Sequence, residues 1–146
     1  MNIEDIFNLG DSTNPISEKL GNFSKSPFVL DHVMCASVEG FIQALKYRDP
    51  EEQKAVALLV GKEAKFKGKK ARKRIAREGT VYWLTNEICF RSHDHIFLIE
   101  RGIRAKFEQD DASKKALLAT GEAELVHETG RQESLYTSLP NVSVCG

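Results

Sequence analysis

Apolar residues recur along the chain with two different periods, and each change of period marks an element. Between Ser37 and about Tyr47, Val38, Ile42 and Leu45 fall on one stripe at helical spacing, with Ser37 as N-cap. Asp49-Pro50 opens a second helix with proline at its first position; Ala55, Leu58 and Leu59 continue it, and Gly61 supplies a stop. Asp94 can cap a long helix from about His95 to Gln109, with Ile96, Ile99, Ile103 and Phe107 on the apolar side. Gly102 interrupts that helix at a cost of about 1 kcal/mol against alanine, which predicts close packing there. Ala112 to Ala119 reads as a short helix closed by Thr120-Gly121.

The strand signals are shorter. Pro27-Phe28-Val29-Leu30, ended by Asp31-His32, is a strand or a buried loop. Thr80 to Phe90 carries Val81, Tyr82, Trp83, Ile88 and Phe90 around Asn86-Glu87 and reads as strand or hairpin. Glu122 to His127 alternates as a strand does, and Ser134 to Gly146 has β-type composition without a helical period. The opening residues to about Ser26 are rich in Asn, Ser, Asp and Gly and read as irregular. With no internal repeat or linker, the expectation is one α+β domain over residues 1–146, helix-dominated with a few short strands.

Composition narrows the possibilities further. A chain of 146 residues, 41% hydrophobic and 29% charged, suits one globular domain with a real core. Lys+Arg 21 balance Asp+Glu 21, which excludes a globally basic nucleic-acid coat or a highly charged disordered chain. No apolar run approaches the roughly 20 residues of a membrane span, and the start, MNIEDIFNLG, lacks signal-peptide features. The expectation is a cytoplasmic protein with no membrane partner. Cys35, Cys89 and Cys145 are an odd, scattered set; one pair could bridge, but reduced thiols are expected. His93 and His95 flank Asp94 without a second ligand pair, so neither a metal site nor a cofactor is expected.

Two stretches could carry chemistry. On a helix, Glu39, Gln43 and Lys46 stand at about 0°, 40° and −20°, a polar row beside the Val38/Ile42/Leu45 stripe. A carboxylate, an amide and an amine on one rigid element could line a pocket for a sugar or a base; the alternative is a solvated helix face. From Lys62 to Arg77 the residues Lys62, Lys65, Lys67, Lys69, Lys70, Arg72, Lys73, Arg74 and Arg77 face only Glu63 as an acidic neighbour. That run is either a solvated helix or a phosphate-attracting surface, and with Phe66 as its one aromatic residue it is poorly suited to base stacking. Trp83 beside Tyr82 is the pattern of a core or interface pair more often than a ligand platform, and Lys106 reads as an exposed helix lysine. There is neither a Walker loop nor a nucleophile elbow.

Several short strings in order carry a resemblance. Gly21-Asn22-Phe23, Ser26-Pro27-Phe28-Val29-Leu30-Asp31, Ser37-Val38-Glu39 and Gln43-Ala44-Leu45-Lys46 come first. Ala105-Lys106-Phe107-Glu108-Gln109, Leu117-Leu118-Ala119-Thr120-Gly121 and Glu124-Leu125-Val126 follow, with Gly61, Ala64-Lys65 and Gly68 between. Together, from about Lys19 to Thr129, they resemble the NADAR ("NAD and ADP-ribose related", YbiA-like) family of N-glycosidases. The chain departs from that pattern at Gly40, where histidine is usual. It also departs at Arg91 to His95, where a tryptophan and an arginine are usual, and around Gln132 to Tyr136, where an aromatic-glycine motif is usual.

The resemblance implies a YbiA-like α+β fold and cleavage of N-glycosidic bonds to ribose, most specifically removal of ADP-ribose from a nucleobase such as guanine in DNA. Two other readings stand beside it: hydrolysis of phosphoribosylated riboflavin-pathway intermediates, and non-catalytic binding of ADP-ribose or a nucleotide. The implied partner is an ADP-ribosyl or phosphoribosyl substrate, with nucleic acid as a candidate carrier, in a bacterial cytoplasm or, for a phage-encoded chain, that of its host. Glu39, Lys46 and Lys106 match family motif positions. Glu39 would stabilise the oxocarbenium-like state or activate water, while Lys46 and Lys106 compete for attack on C1 of a ring-opened ribose. Lys65 and Arg72 would hold phosphate, Trp83 or Phe23 would stack on the base, and Asn22 and Gln43 would complete the substrate contacts.

Overall fold

The computed structural model describes residues 14–121 together with the backbone of two further strands, β1 (Ile6–Asn8) and β6 (Glu124–Val126). Between them run α1 (Pro15–Leu20), β2 (Phe28–Leu30), β3 (Val33–Cys35), α2 (Val38–Ala44), α3 (Pro50–Ala57), α4 (Gly61–Lys69) and α5 (Arg72–Glu78). Next come β4 (Thr80–Trp83), β5 (Asn86–Cys89), α6 (His93–Gln109) and α7 (Asp111–Thr120). The fold is α+β with helices dominant. Its described strands pair two by two: β1 with β6 in parallel, β2 with β3 and β4 with β5 antiparallel. The region around Gln132 to Tyr136, Cys145 and the β-type tail lie outside the described residues.

Local chemistry explains most of these boundaries. Ser37 caps α2, its Oγ accepting from the Gly40 N–H, and Asp49 caps α3 ahead of Pro50. Asp31 and His32 both have positive φ (50° and 67°), so the apolar run at Phe28 is the first arm of a two-residue hairpin rather than a loop. The opening stretch holds a helix after all. Asn14 accepts from Ile16 and Ser17 N–H groups with proline at the first turn, a cap and a Pro start that outweigh the polar composition. The cap of α6 is Ser92 rather than Asp94. Gly61, at φ 57°, opens α4 instead of ending α3, which stops at Ala57, and the basic run folds as α4 and α5.

The core is built around Phe41 of α2, whose ring meets the rings of Phe28 and Trp83 edge-on at centroid distances of 6.1 and 5.1 Å. Helix α6 buries His95, Leu98, Ile99, Gly102, Ala105 and Lys106, leaving Ile96, Ile103 and Phe107 only partly covered. That face is turned roughly 100°, one residue's rotation, from the stripe the sequence predicts. The cause is Gly102: a Cβ there would stand 2.6 Å from Phe41 Cδ2, so the glycine face is the one that admits Phe41. Lys106 is thereby carried inside, against the expectation of an exposed lysine. Cys35 is a buried free thiol, pushed up to about 12 by burial, but Cys89 is disulfide-bonded, so the expectation of reduced thiols holds for Cys35 and fails for Cys89. No helix among the described residues is long and apolar enough to cross a membrane.

Candidate active site

Every residue of α2 is buried, its polar ones included. Glu39 is 9% exposed and Gln43 7%, so two of the three residues in the row that the sequence leaves open between pocket and solvated face belong to the interior. Glycines make the enclosure possible. On α2 itself, Gly40 lies against backbone carbonyls, a Cβ there meeting Leu59 O and standing 2.8 Å from Ala57 O. From α4, Gly68 leaves room for the Gln43 carboxamide, and from α6 Gly102 accepts the Phe41 ring. That crowding leaves no room for a side chain between α2 and those carbonyls at position 40.

The row is wired together. Gln43 Nε2 donates to Glu39 Oε1 at 2.8 Å, and the Glu39 N–H donates to Asn22 O at 3.0 Å. Burial raises the Glu39 carboxyl from its ordinary value, and the Gln43 hydrogen bond, Lys46 and Lys65 pull it partly back. Lys46 follows the C-cap Leu45, its N–H donating to Gln43 O, and its side chain is half-buried. Burial lowers the Lys46 amine, opposed by the charge of Glu39 and assisted by that of Arg72. Gln53 steadies the chain beyond it, donating to Tyr47 O and Tyr82 O at 2.8 Å each and accepting from the Leu84 N–H at 2.9 Å. Two buried polar atoms on residues bonded to Glu39 have no protein partner: Asn22 Nδ2 and Gln43 Oε1.

His95 joins this cluster, and sequence reasoning missed it by weighing it only as a metal ligand. It is 2% exposed, and burial, then the charges of Lys46 and Arg91, hold its imidazole down at about 4. Nδ1 accepts from the Arg91 N–H at 2.9 Å, so the proton of the neutral ring resides on Nε2. The signal was present: Ser92 accepts from the His95 N–H, and a cap at Ser92 puts His95 on the face shared by Leu98, Ile99 and Gly102. Among the described residues, no group of three His, Cys, Asp or Glu side chains stands together to hold a metal ion.

The remaining candidates separate. Lys106, 1% exposed, donates to Gly21 O at 2.8 Å and Leu20 O at 3.2 Å, so its ammonium braces the loop that also carries Asn22. Burial, then Lys19, pull its amine down to about 7, and Asp110 opposes them. Trp83 is enclosed, with Nε1 donating to Asp31 Oδ2 at 2.7 Å, whereas Phe23 on the same loop as Asn22 is exposed. Lys65 is half-buried and near enough to Glu39 to act on it; Arg72 is exposed and acts on Lys46. The structure therefore gathers Glu39, Gln43, Lys46, Asn22, Lys65, Arg72 and His95 in one neighbourhood, and places Trp83 in the core and Lys106 beneath the loop.

Three likenesses to known proteins accompany this geometry. The model of the family described as "Bacteriophage protein GP30.3" matches residues 14–145. A 17.1 kDa protein of the Gp30–rIII intergenic region of Enterobacteria phage T4 is 35% identical over 65 residues, 44% of this chain and 42% of that protein. The match therefore spans less than half the length of that relative. The NMR structure of the E. coli protein YbiA superposes with a TM-score of 0.59 at 22% identity, covering 85% of this chain and 67% of that one.

Proposed function

The chain belongs to the bacteriophage protein GP30.3 family and has a YbiA-like fold, and from that footing we propose that it is an N-glycosidase acting on a bond between ribose and a base. The observation that carries the reading is the burial of Glu39, hydrogen-bonded by Gln43 and facing the charge of Lys46, on a helix with no solvent face. A carboxyl raised by burial and an amine lowered by it both approach the range where acid, base and nucleophilic work are done near neutral pH.

The proposed chemistry follows from charge. As the C1–N bond breaks, positive charge grows on C1 of the ribose, and the Glu39 carboxylate stabilises it or takes a proton from the water that adds to C1. The departing base receives a proton, for which Lys46 as ammonium is the donor in the cluster. If instead the ribose opens, Lys46 as free amine attacks C1, displaces the base and forms an imine that water then hydrolyses. Lys46 is preferred to Lys106 for either role because Lys106 is occupied by the Leu20 and Gly21 carbonyls. Asn22 Nδ2 is a donor with no protein acceptor and suits a sugar hydroxyl, and Lys65 and Arg72 suit the phosphates. ADP-ribose on guanine in DNA is the specific substrate proposed, its phosphates drawn to the basic α4–α5 surface.

The test is release of free base, followed chromatographically, from ADP-ribosylated guanine DNA and separately from a ribosylaminopyrimidine phosphate. Turnover on the first names the proposed substrate, and turnover on the second alone transfers the same chemistry to a phosphoribosylated metabolite. Glu39→Gln and Lys46→Met should each lose about 10²–10⁴-fold in kcat, while Lys106→Met should keep kcat and lose stability. Turnover undiminished in Glu39→Gln overturns the assignment, and a ligand-dependent rise in Tm without product on either substrate makes the protein a binder.

A further inference from the structure

A cavity of about 350 Å³ opens at the α2–α3 turn, walled by Tyr47, Arg48 and Asp49, by Glu52 of α3, Arg74 and Glu78 of α5, and Tyr82 of β4. It is at the small end of the range of ligand sites, roughly 300–1,000 Å³. Neither Glu39, Gln43 nor Lys106 lines it. The Arg74 guanidinium stacks over the Tyr82 ring, 5.6 Å from its centroid, and Nη1 donates to Glu78 Oε2 at 3.2 Å. Nη2 of the same group is buried and has no acceptor. A buried guanidinium N–H without a partner is costly, and an oxygen or ring-nitrogen acceptor from outside the chain relieves it.

The walls restrict what can supply that acceptor. A phosphate would satisfy Arg74 but would enter beside Asp49, Glu52 and Glu78, three carboxylates around two arginines. Glu52 is free to accept, since its ion pair with Lys67 is long at 3.8 Å and both side chains are well exposed. Tyr82 is buried and covered by Arg74, so the half-buried Tyr47 ring, with Lys67 Nζ 5.5 Å from its centroid, is the flat surface on offer. A neutral, planar ligand with an acceptor for Arg74 and adjacent N–H donors for a carboxylate meets all three conditions. Guanine has that edge: O6 and N7 accept from arginine, while N1–H and N2–H₂ donate. Adenine lacks the carbonyl and turns a lone pair at N1 toward the carboxylate.

We infer that this cavity is a purine-base site selective for guanine, with Arg74 reading the acceptor edge, Glu52 taking the donor edge and Tyr47 stacking on the ring. The site is separate from the α2 row and does not depend on the glycosidase reading.

Calorimetric titration of the full chain with guanosine, adenosine and orthophosphate tests it. Saturable guanosine binding is expected, with adenosine at least tenfold weaker and orthophosphate silent. Arg74→Ala and Glu52→Gln should each weaken guanosine at least tenfold. Arg74→Lys keeps the charge over Tyr82 without the planar fork, so an unshifted Tm with the same tenfold loss separates recognition from folding. Absence of guanosine binding up to its solubility, binding in Arg74→Ala and Arg74→Lys as tight as in the natural protein, or binding abolished only by Glu39→Gln would each overturn the inference. Orthophosphate binding that Arg74→Ala removes would overturn it too, in favour of a plain anion site.

Discussion

An amine sealed inside a helix interface must either find acceptors or give up its proton, and Lys106 does some of each. Its Nζ donates to the Gly21 and Leu20 carbonyls, yet burial still draws its pKa down to about 7. Since the unfolded lysine titrates near its ordinary 10.5, the unfolded chain holds a proton between about pH 7 and 10.5 that the folded chain has released. Stability from this group therefore rises with pH across that window. Urea midpoints at pH 7 and 9.5 should show the rise in the natural protein and a smaller one in Lys106→Met. A difference between the two profiles that does not change with pH would refute it. Lys106→Met should also cost about 1–3 kcal/mol at pH 9.5, because buried carbonyls lose their donor.

At the scale of elements, α2 is the piece whose polar row is enclosed by its neighbours. A seven-residue helix has little stability of its own, and its geometry comes from what packs on it. The approach of α6 rests on Gly102, and that of residues 57–59 rests on Gly40. The two glycines should not be equivalent. Gly102→Ala pushes against the Phe41 ring, which can shift at an overpacking cost of about 1–3 kcal/mol. Gly40→Ala meets backbone oxygens of Leu59 and Ala57, which cannot move without breaking the end of α3, so its Tm should fall further than that of Gly102→Ala. Thermal melts of the two variants side by side check the order. Much of this was legible beforehand: Ser37 and Asp49-Pro50 announce α2 and α3 through local hydrogen bonds and a preset φ. The rotation of α6 was not, since Ile96, Ile99, Ile103 and Phe107 make as good an apolar stripe as the face that is buried.

Across the whole molecule, Asp31 ties three distant elements together. From the β2–β3 turn it accepts from Trp83 of β4 at 2.7 Å and from Arg101 of α6 at 2.6 and 3.2 Å. The Arg101 hydrogen bond, against burial and with help from Trp83, holds its carboxyl below the ordinary value of 3.8. A depressed carboxyl contributes stability above its unfolded pKa and loses it as pH falls through the folded one. The stability difference between the natural protein and Asp31→Asn should therefore shrink below about pH 4. With the pair partly exposed, Asp31→Ala should cost about 1 kcal/mol at pH 7, most of it from the Trp83 N–H left without an acceptor. A Trp83 fluorescence melt at pH 7 and pH 3 reads both effects, and a constant difference between them would count against the clamp.

By themselves, the residues of this chain determined its class, the starts of α2 and α3 and the presence of a carboxylate, an amide and an amine in one row. Each of those follows from interactions within a few residues: a cap, a proline, a repeat of 3.6. Whether that row met water or protein was settled by chain segments far away in sequence. Gly68, Gly102 and the carbonyls of residues 57 and 59 close on α2 only when the helices dock, and burial then raises the Glu39 carboxyl and lowers the Lys46 amine from their ordinary values. Periodicity distinguishes one face of a helix from another, but the covering of both faces is a property of three-dimensional packing, and desolvation, which shifts these two groups, exists only there.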